Sequence, residues 1–352
     1  MSSLQLALAV VGVLVLVAMF AYNTWQTRRS GVRRPSPRPE PVAPVEPTLD
    51  GPAAPDEPER LEPVLDVPAL VAAVPPRRPG PRLDPLVDAI ATLPAESRLS
   101  GDSVLAHLPP TRRAGSKPFL IEGLNDATGE WEAPQHGHLY RELQAGVLMA
   151  SRTGPLNEIE YSEFVQKVQA FADALGVAVD FPDMLEVVAQ ARELDQFASQ
   201  HDAQLACRLH ARGAAWSVAY IQQHAARHGF VPGVVPGRLV LPGSEEGAPP
   251  VLILQFDSQA VFADDPNAAA VRDVTLAFDV PQTPAAEQPF EAWQRSAEAL
   301  AADMDAIVVD DAGRPLTAQA FAAIGAELDK LYQALEARGL PAGSAAARRL
   351  FS

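Results

Sequence analysis

Apolar and polar positions along the 352 residues fall into three regimes. From Leu6 to Tyr22 the chain reads LALAVVGVLVLVAMFAY, without a single charge. With Leu4 and Gln5 this run would make about 28 Å of helix at ~1.5 Å per residue, enough to cross a bilayer core. Between Pro35 and Pro118 apolar side chains stand singly among prolines. From Phe119 onward, stretches of period 2 and period 3.6 alternate, as in a folded domain.

The alternation predicts strands at Phe119–Leu124 and Glu142–Ala150, then an amphipathic helix at Glu158–Leu175 with Ile159, Phe164, Val168, Phe171 and Leu175 on one face. A short strand follows at Val177–Asp180 and a second helix at Pro182–Gln200. Next come a strand at Ala203–His210, a helix at Ala215–His228, and strands at Arg238–Leu241, Val251–Phe256 and Asp273–Val280. The chain closes with a helix at Pro289–Asp303, a strand at Ala306–Val309 and a helix at Thr317–Arg338. Shifting the sequence by 129 residues lays Leu148 on Ala277, Phe164 on Trp293, Phe171 on Leu300, Leu175 on Met304 and Val179 on Val308. Strand, loop, helix, short strand and helix thus occur twice, which points to a duplicated split β-α-β unit.

Of the 34 prolines, 20 lie between Pro35 and Pro118, too dense for a helix or a central strand. This stretch is expected to be a disordered, extended tether. One island breaks it: Leu83, Leu86, Val87, Ile90 and Leu93 fall at helical spacing, with Asp84 and Pro85 as a first turn. It reads either as a short docking helix or as a transient turn. Charge divides the chain as well. Residues 1–118 carry a net +1 and residues 119–352 a net −17. So acidic a module repels phosphate backbones, which excludes nucleic acid as a partner, and it repels anionic lipid too.

No basic residue precedes the apolar run, whereas Arg28, Arg29, Arg33, Arg34 and Arg38 follow it closely. No small-x-small cleavage site follows it either. That pattern is a retained anchor rather than a cleaved signal, with the C-terminal side in the cytoplasm. Tyr22 and Trp25 fall at interfacial positions. The only cysteine, Cys207, lies in the apolar alternation Leu205, Cys207, Leu209 and reads as a small core residue. No phosphate loop, Gly-x-Ser-x-Gly, His-Glu-x-x-His or paired Cys-x-x-Cys occurs. His136/His138 and His224/His228 each offer two metal ligands with no third nearby in sequence. Asp310–Asp311 before Gly313 reads as a strand-ending turn rather than an acid/base pair. The chain is therefore expected to bind rather than catalyse, without metal or cofactor.

Three segments bear a family likeness: GFVPG at Gly229–Gly233, VTLAFDVP at Val274–Pro281, and IVVDDAGRPLT at Ile307–Thr317 ahead of a helix. Together with the anchor, arginine cluster and proline-rich linker, they resemble the ZipA family, membrane-anchored bacterial division proteins that bind the tubulin-like GTPase FtsZ. The resemblance implies an α+β fold, an antiparallel sheet with helices on one face, whose open face takes the C-terminal peptide of FtsZ. It places that groove on Gln204, Ala206 and Arg208, near Val235, on Leu254, Phe256 and Ser258, and on Thr275 and Ala277. These side chains are smaller and more polar than the family's.

The resulting organisation has residues 1–3 outside, a transmembrane helix at 4–22 and a basic segment plus linker at 23–118. An extra half-repeat at 119–200, a ZipA-like module at 201–340 and a flexible tail at 341–352 complete it. The expected partners are FtsZ, other divisome proteins and, through the helix, the bilayer; the expected place is the inner membrane at the septum. Two rival functions are a tethered scaffold whose groove is capped and a tethered metal-dependent enzyme.

Overall fold

The computed structural model describes residues 82–245, 248–262 and 270–352. The expected membrane helix at 4–22, its flanking residues Tyr22, Trp25, Arg28, Arg29, Arg33 and Arg34, and the linker up to residue 81 lie outside them. Among the described residues no helix is long and apolar enough to cross a membrane.

The first lobe begins inside the stretch expected to be linker. Strand β1 (Asp88–Ser100) leads to helix α1 (Gly101–His107), then to β2 (Arg113–Ala114), β3 (Lys117–Asn125), β4 (Trp131–Glu132) and β5 (Leu139–Leu148). The sheet order is β1-β5-β3-β2, all antiparallel, with β4 against β3. A hairpin of β6 (Ala150–Ser151) and β7 (Gly154–Pro155) follows, then helices α2 (Glu158–Leu175) and α3 (Met184–His201). Buried Lys117 holds that hairpin, donating to Ser151 Oγ at 2.9 Å, to Thr153 Oγ1 at 3.0 Å and to the Gly154 carbonyl. Asn157 caps α2 in a capping box with Glu160, and Gly176 ends it at φ 66°. One sheet face, carrying Ala89, Ala91, Leu93, Phe119, Leu143 and Val147, packs on Phe164, Val168 and Phe171 of α2 and Leu194 of α3.

Three expectations fail here. The helical island at 83–93 and the linker from 83 to 118 are folded: a turn at Asp84–Val87 leads directly into β1. Ladder pairing with β5 from Asp88↔Leu148 to Pro94↔Glu142 outweighs the helical spacing, because Ala89, Ala91 and Leu93 also satisfy period 2. Pro94 is exposed and sits where the register breaks, so its missing N–H costs no ladder bond. The strand expected at Val177–Asp180 shrinks to one bridge, Thr92↔Asp180.

The second lobe runs β8 (Gln204–Ala211), α4 (Val218–Arg227), β9 (Val231–Pro232), β10 (Arg238–Leu241), β11 (Leu252–Gln255), β12 (Asp273–Asp279), α5 (Pro289–Met304), β13 (Ala306–Val309) and α6 (Ala318–Ala337). Its antiparallel sheet has the order β13-β8-β12-β11-β10-β9. Cys207, Leu209, Leu254, Val274, Leu276 and Phe278 face a core completed by Ile221, Trp293, Leu300 and Phe321.

Register reveals how complete the duplication is. In the first lobe Thr92 pairs Gln144, Gln144 pairs Glu122, and Thr92 bridges Asp180. In the second, Arg208 pairs Thr275, Thr275 pairs Gln255, and Arg208 pairs Val309. The row beside it reads Ile90–Gly146–Leu120 in one and Ala206–Ala277–Ile253 in the other. The first lobe is thus a whole copy rather than a half-repeat, and it starts at β1. Ala277 answers to Gly146, not to Leu148.

The tail expected to be flexible is built in. Helix α6 spans both cores: Phe321 and Leu328 enter the second, and Leu335 enters the first. The chain then returns through α7 (Ala345–Leu350), burying Leu350 and Phe351 in the first core. Arg349 closes the circuit on Asp88, with both of its contacts at 2.5 Å.

Candidate functional site

Side chains alternate across a strand, so the four central strands of the second lobe present an outward face opposite the core. Its two rows are Ala206–Ala277–Ile253–Val240 and Arg208–Thr275–Gln255–Arg238, flanked by Gln204 and Asp279 at one end. All are exposed or half-buried. A hollow of about 340 Å³ lies over this face, lined among others by Gln204, Arg238, Pro249, Ile253, Thr275 and Ala277. Ala277 and Ile253 give it an apolar patch, and its sides carry the amides of Gln204, Gln255 and Gln282, the Arg238 guanidinium and the Asp279 carboxylate.

Of the residues assigned from the resemblance, Gln204, Ala206, Arg208, Thr275 and Ala277 share this face. The others do not. Leu254 and Phe256 point into the core, with Leu254 paired to Leu276, so the outward residues of β11 are Ile253 and Gln255. A one-residue change of register moves a side chain to the opposite face. Val235 lies in the loop before β10, half exposed, and Ser258 in a 3-10 turn after β11. Arg238, Val240, Ile253, Gln255 and Asp279 were missed. The alternation Arg238, Val240 was present in the sequence, and in the run VLILQF a single polar residue, Gln255, marks the outer side.

The charges on the face are uneven in their partners. Asp279 accepts from Gln204 at 3.2 Å and from Arg152 of the first lobe at 2.7 Å. Arg152 also grips Asp202, at 2.6 and 2.9 Å, and that pairing chiefly holds its guanidinium above the usual pKa range. Arg208 donates to the carbonyls of Asp310 and Asp311 at 3.4 and 3.2 Å. The Nε atoms of Arg208 and Arg238 are buried with no acceptor among the described residues.

The other candidate groups go elsewhere. His136 lies on Asp102 at 2.6 Å and His138 on Glu132 at 2.5 Å, so the two do not converge. His228 is 2.9 Å from Asp303 and His224 4.0 Å. Among the described residues no three His, Cys, Asp or Glu side chains gather as a metal site. Asp310 accepts from the Arg314 backbone and guanidinium at 2.8 Å each, which lowers its carboxyl pKa and closes the turn at Gly313, φ 79°. Cys207 is fully buried against Leu276, and burial pushes its thiol up to about 12. At that value no nucleophilic thiolate forms near neutral pH.

Residues 249–327 match the family model described as ZipA, C-terminal FtsZ-binding domain. The second lobe is a ZipA-family domain. The match takes in β11, β12, α5, β13 and the first half of α6, and with them VTLAFDVP and IVVDDAGRPLT; GFVPG lies before it. It therefore includes Ile253, Gln255, Thr275 and Ala277 of the outward face, while β8 and β10 flank it within the same sheet. No curated protein matches the chain.

Proposed function

We propose that this chain is a cell-division protein that holds FtsZ at the inner membrane, binding the C-terminal peptide of FtsZ on the outward face of the ZipA-type lobe. The observation that carries the reading is the small, open apolar row Ala206–Ala277–Ile253 within a domain whose family is described as FtsZ-binding. Small floor residues leave room for a partner's aliphatic side chains, and the half-buried Arg238 lies beside them. The capped-scaffold alternative predicts a covered face. Strands β3 and β5 of the extra segment pair with each other within the first lobe's own sheet.

Titrating the detergent-solubilised full chain with the FtsZ C-terminal peptide tests this. Saturable binding should weaken at least about tenfold in Ala277→Arg, whose long side chain would fill the hollow, while Cys207→Ala on the opposite face leaves affinity unchanged. Binding that is absent, or indifferent to Ala277→Arg, removes this function.

The anchor rests on the charge-free run at 4–22 and the arginines behind it. With these the module stays cytoplasmic on a proline-rich tether, held at raised local concentration under the membrane near other division proteins. Membrane fractionation provides the check. The full chain should pellet with membranes through an alkaline carbonate wash and dissolve only in detergent. Release by carbonate would show a peripheral protein and end this part of the proposal.

A further inference from the structure

Each lobe carries a small residue at the middle of its outward face, Ala277 in the second and Gly146 in the first. What differs is what lies on it. Leu83 sits directly on Gly146: a Cβ added there would overlap Leu83 Cδ2 and would come within 3.3 Å of Ile90 Cγ1. The Leu83 backbone N–H donates to Glu122 Oε1 at 2.9 Å, and Glu122 Oε2 accepts from Gln144 Nε2 at 2.8 Å. Glu122 is only 3% exposed on a face whose counterpart, Gln255, stands in solvent. The segment is fastened on both sides. Arg349 Nη1 donates to the Arg82 carbonyl at 2.9 Å, and Asp84 N–H donates to Asp88 Oδ2 at 2.9 Å.

We infer that the outward face of the first lobe is a second peptide-capture face, occupied in cis by the chain's own segment Arg82–Val87. An apolar side chain fills the slot over the glycine, and a carboxylate in the neighbouring row takes the backbone N–H of the same residue. A bound peptide needs those two elements, an aliphatic anchor and a main-chain hydrogen bond. The occupant follows directly on the proline-rich stretch in sequence. Being intramolecular, it competes at an effective concentration of roughly millimolar, which keeps the face closed to other peptides of similar chemistry. Among the described residues the protein thus has one face open and one filled by itself. This inference stands apart from FtsZ and survives the loss of that partner.

The test uses the full chain in detergent and a labelled peptide of residues 82–87. Leu83→Asp puts a charge into the slot and evicts the cis segment. The peptide should then bind at least about tenfold more tightly than to the unaltered chain, and adding Gly146→Leu, which fills the slot covalently, should abolish that binding. Equal weak binding to both forms, or binding that ignores Gly146→Leu, overturns the inference. Hydrogen exchange on the unaltered chain keeps it falsifiable if the variants misfold. The Leu83 amide should exchange at least about a hundredfold slower than in an unstructured peptide, and exchange at the unstructured rate overturns it.

Discussion

Replacing Arg349 by alanine should cost about 3–5 kcal/mol of stability at neutral pH, because it strands a buried carboxylate. The Asp88 side chain is wholly buried, and its two oxygens meet Arg349 Nη1 and Nη2 at 2.5 Å. Desolvation already raises the Asp88 pKa above its ordinary value, and the Arg349 hydrogen bonds and charge chiefly oppose that rise. Without Arg349 the pKa rises further. A carboxyl raised in the fold contributes stability that is present below its unfolded pKa of about 3.9 and lost as pH climbs through the folded value. The deficit of Arg349→Ala should therefore be small near pH 3 and grow toward pH 7. Asp88→Asn on the Arg349→Ala background, which removes the charge, should recover much of it. Urea denaturation at several pH values reads this directly. A loss under about 1 kcal/mol at pH 7, or one independent of pH, would show that the pair is not the clasp described above.

That clasp was invisible in the sequence, and the reason is physical. Residues 88 and 349 are separated by nearly the whole folded region, and nothing local in AAARRLFS says that Leu350 and Phe351 find a core to enter. Where the information is local, the sequence suffices. Helix α2 has its 3.6 period, its Asn157 cap and its terminal Gly176, and it occurs between the residues expected. Strand β12 alternates cleanly and was placed within one residue. Strand β1 was lost because its partner arrives some fifty residues later, and because Leu83, Val87 and Ile90 satisfy helical spacing as well as they fit a turn and a strand. The outward face was half legible for a related cause. Polar alternation marked Gln204, Arg208 and Thr275, but Leu252, Ile253 and Leu254 are interchangeable until the pairing with Leu276 fixes which side each takes. The duplication was audible as a weak repeat, yet only the matching ladders of the two sheets show that it is complete.

Trp293→Ala should be equally severe, costing about 3–5 kcal/mol, since it removes one of the two tryptophans in the core beneath the ZipA-type face. Trp293 is 1% exposed; its ring packs on Phe321 at 5.5 Å between centroids, on Phe290 at 5.9 Å and on Phe278 at 6.3 Å. Its Nε1 donates to the Leu276 carbonyl at 2.9 Å, at the residue directly before Ala277. The indole thus holds the strand whose outward residue floors the hollow. Alanine leaves a cavity and removes that hydrogen bond together. Trp293→Phe separates the two effects: it keeps much of the packing, loses the hydrogen bond, and should cost less by at least about 1 kcal/mol. Denaturation of the three proteins, paired with peptide titration at a temperature where all are folded, distinguishes the roles. If Trp293 only fills space, Trp293→Phe binds as the unaltered chain does. If it positions β12, as the bond to Leu276 implies, Trp293→Phe should bind more weakly although it remains folded, whereas unchanged affinity would confine Trp293 to packing.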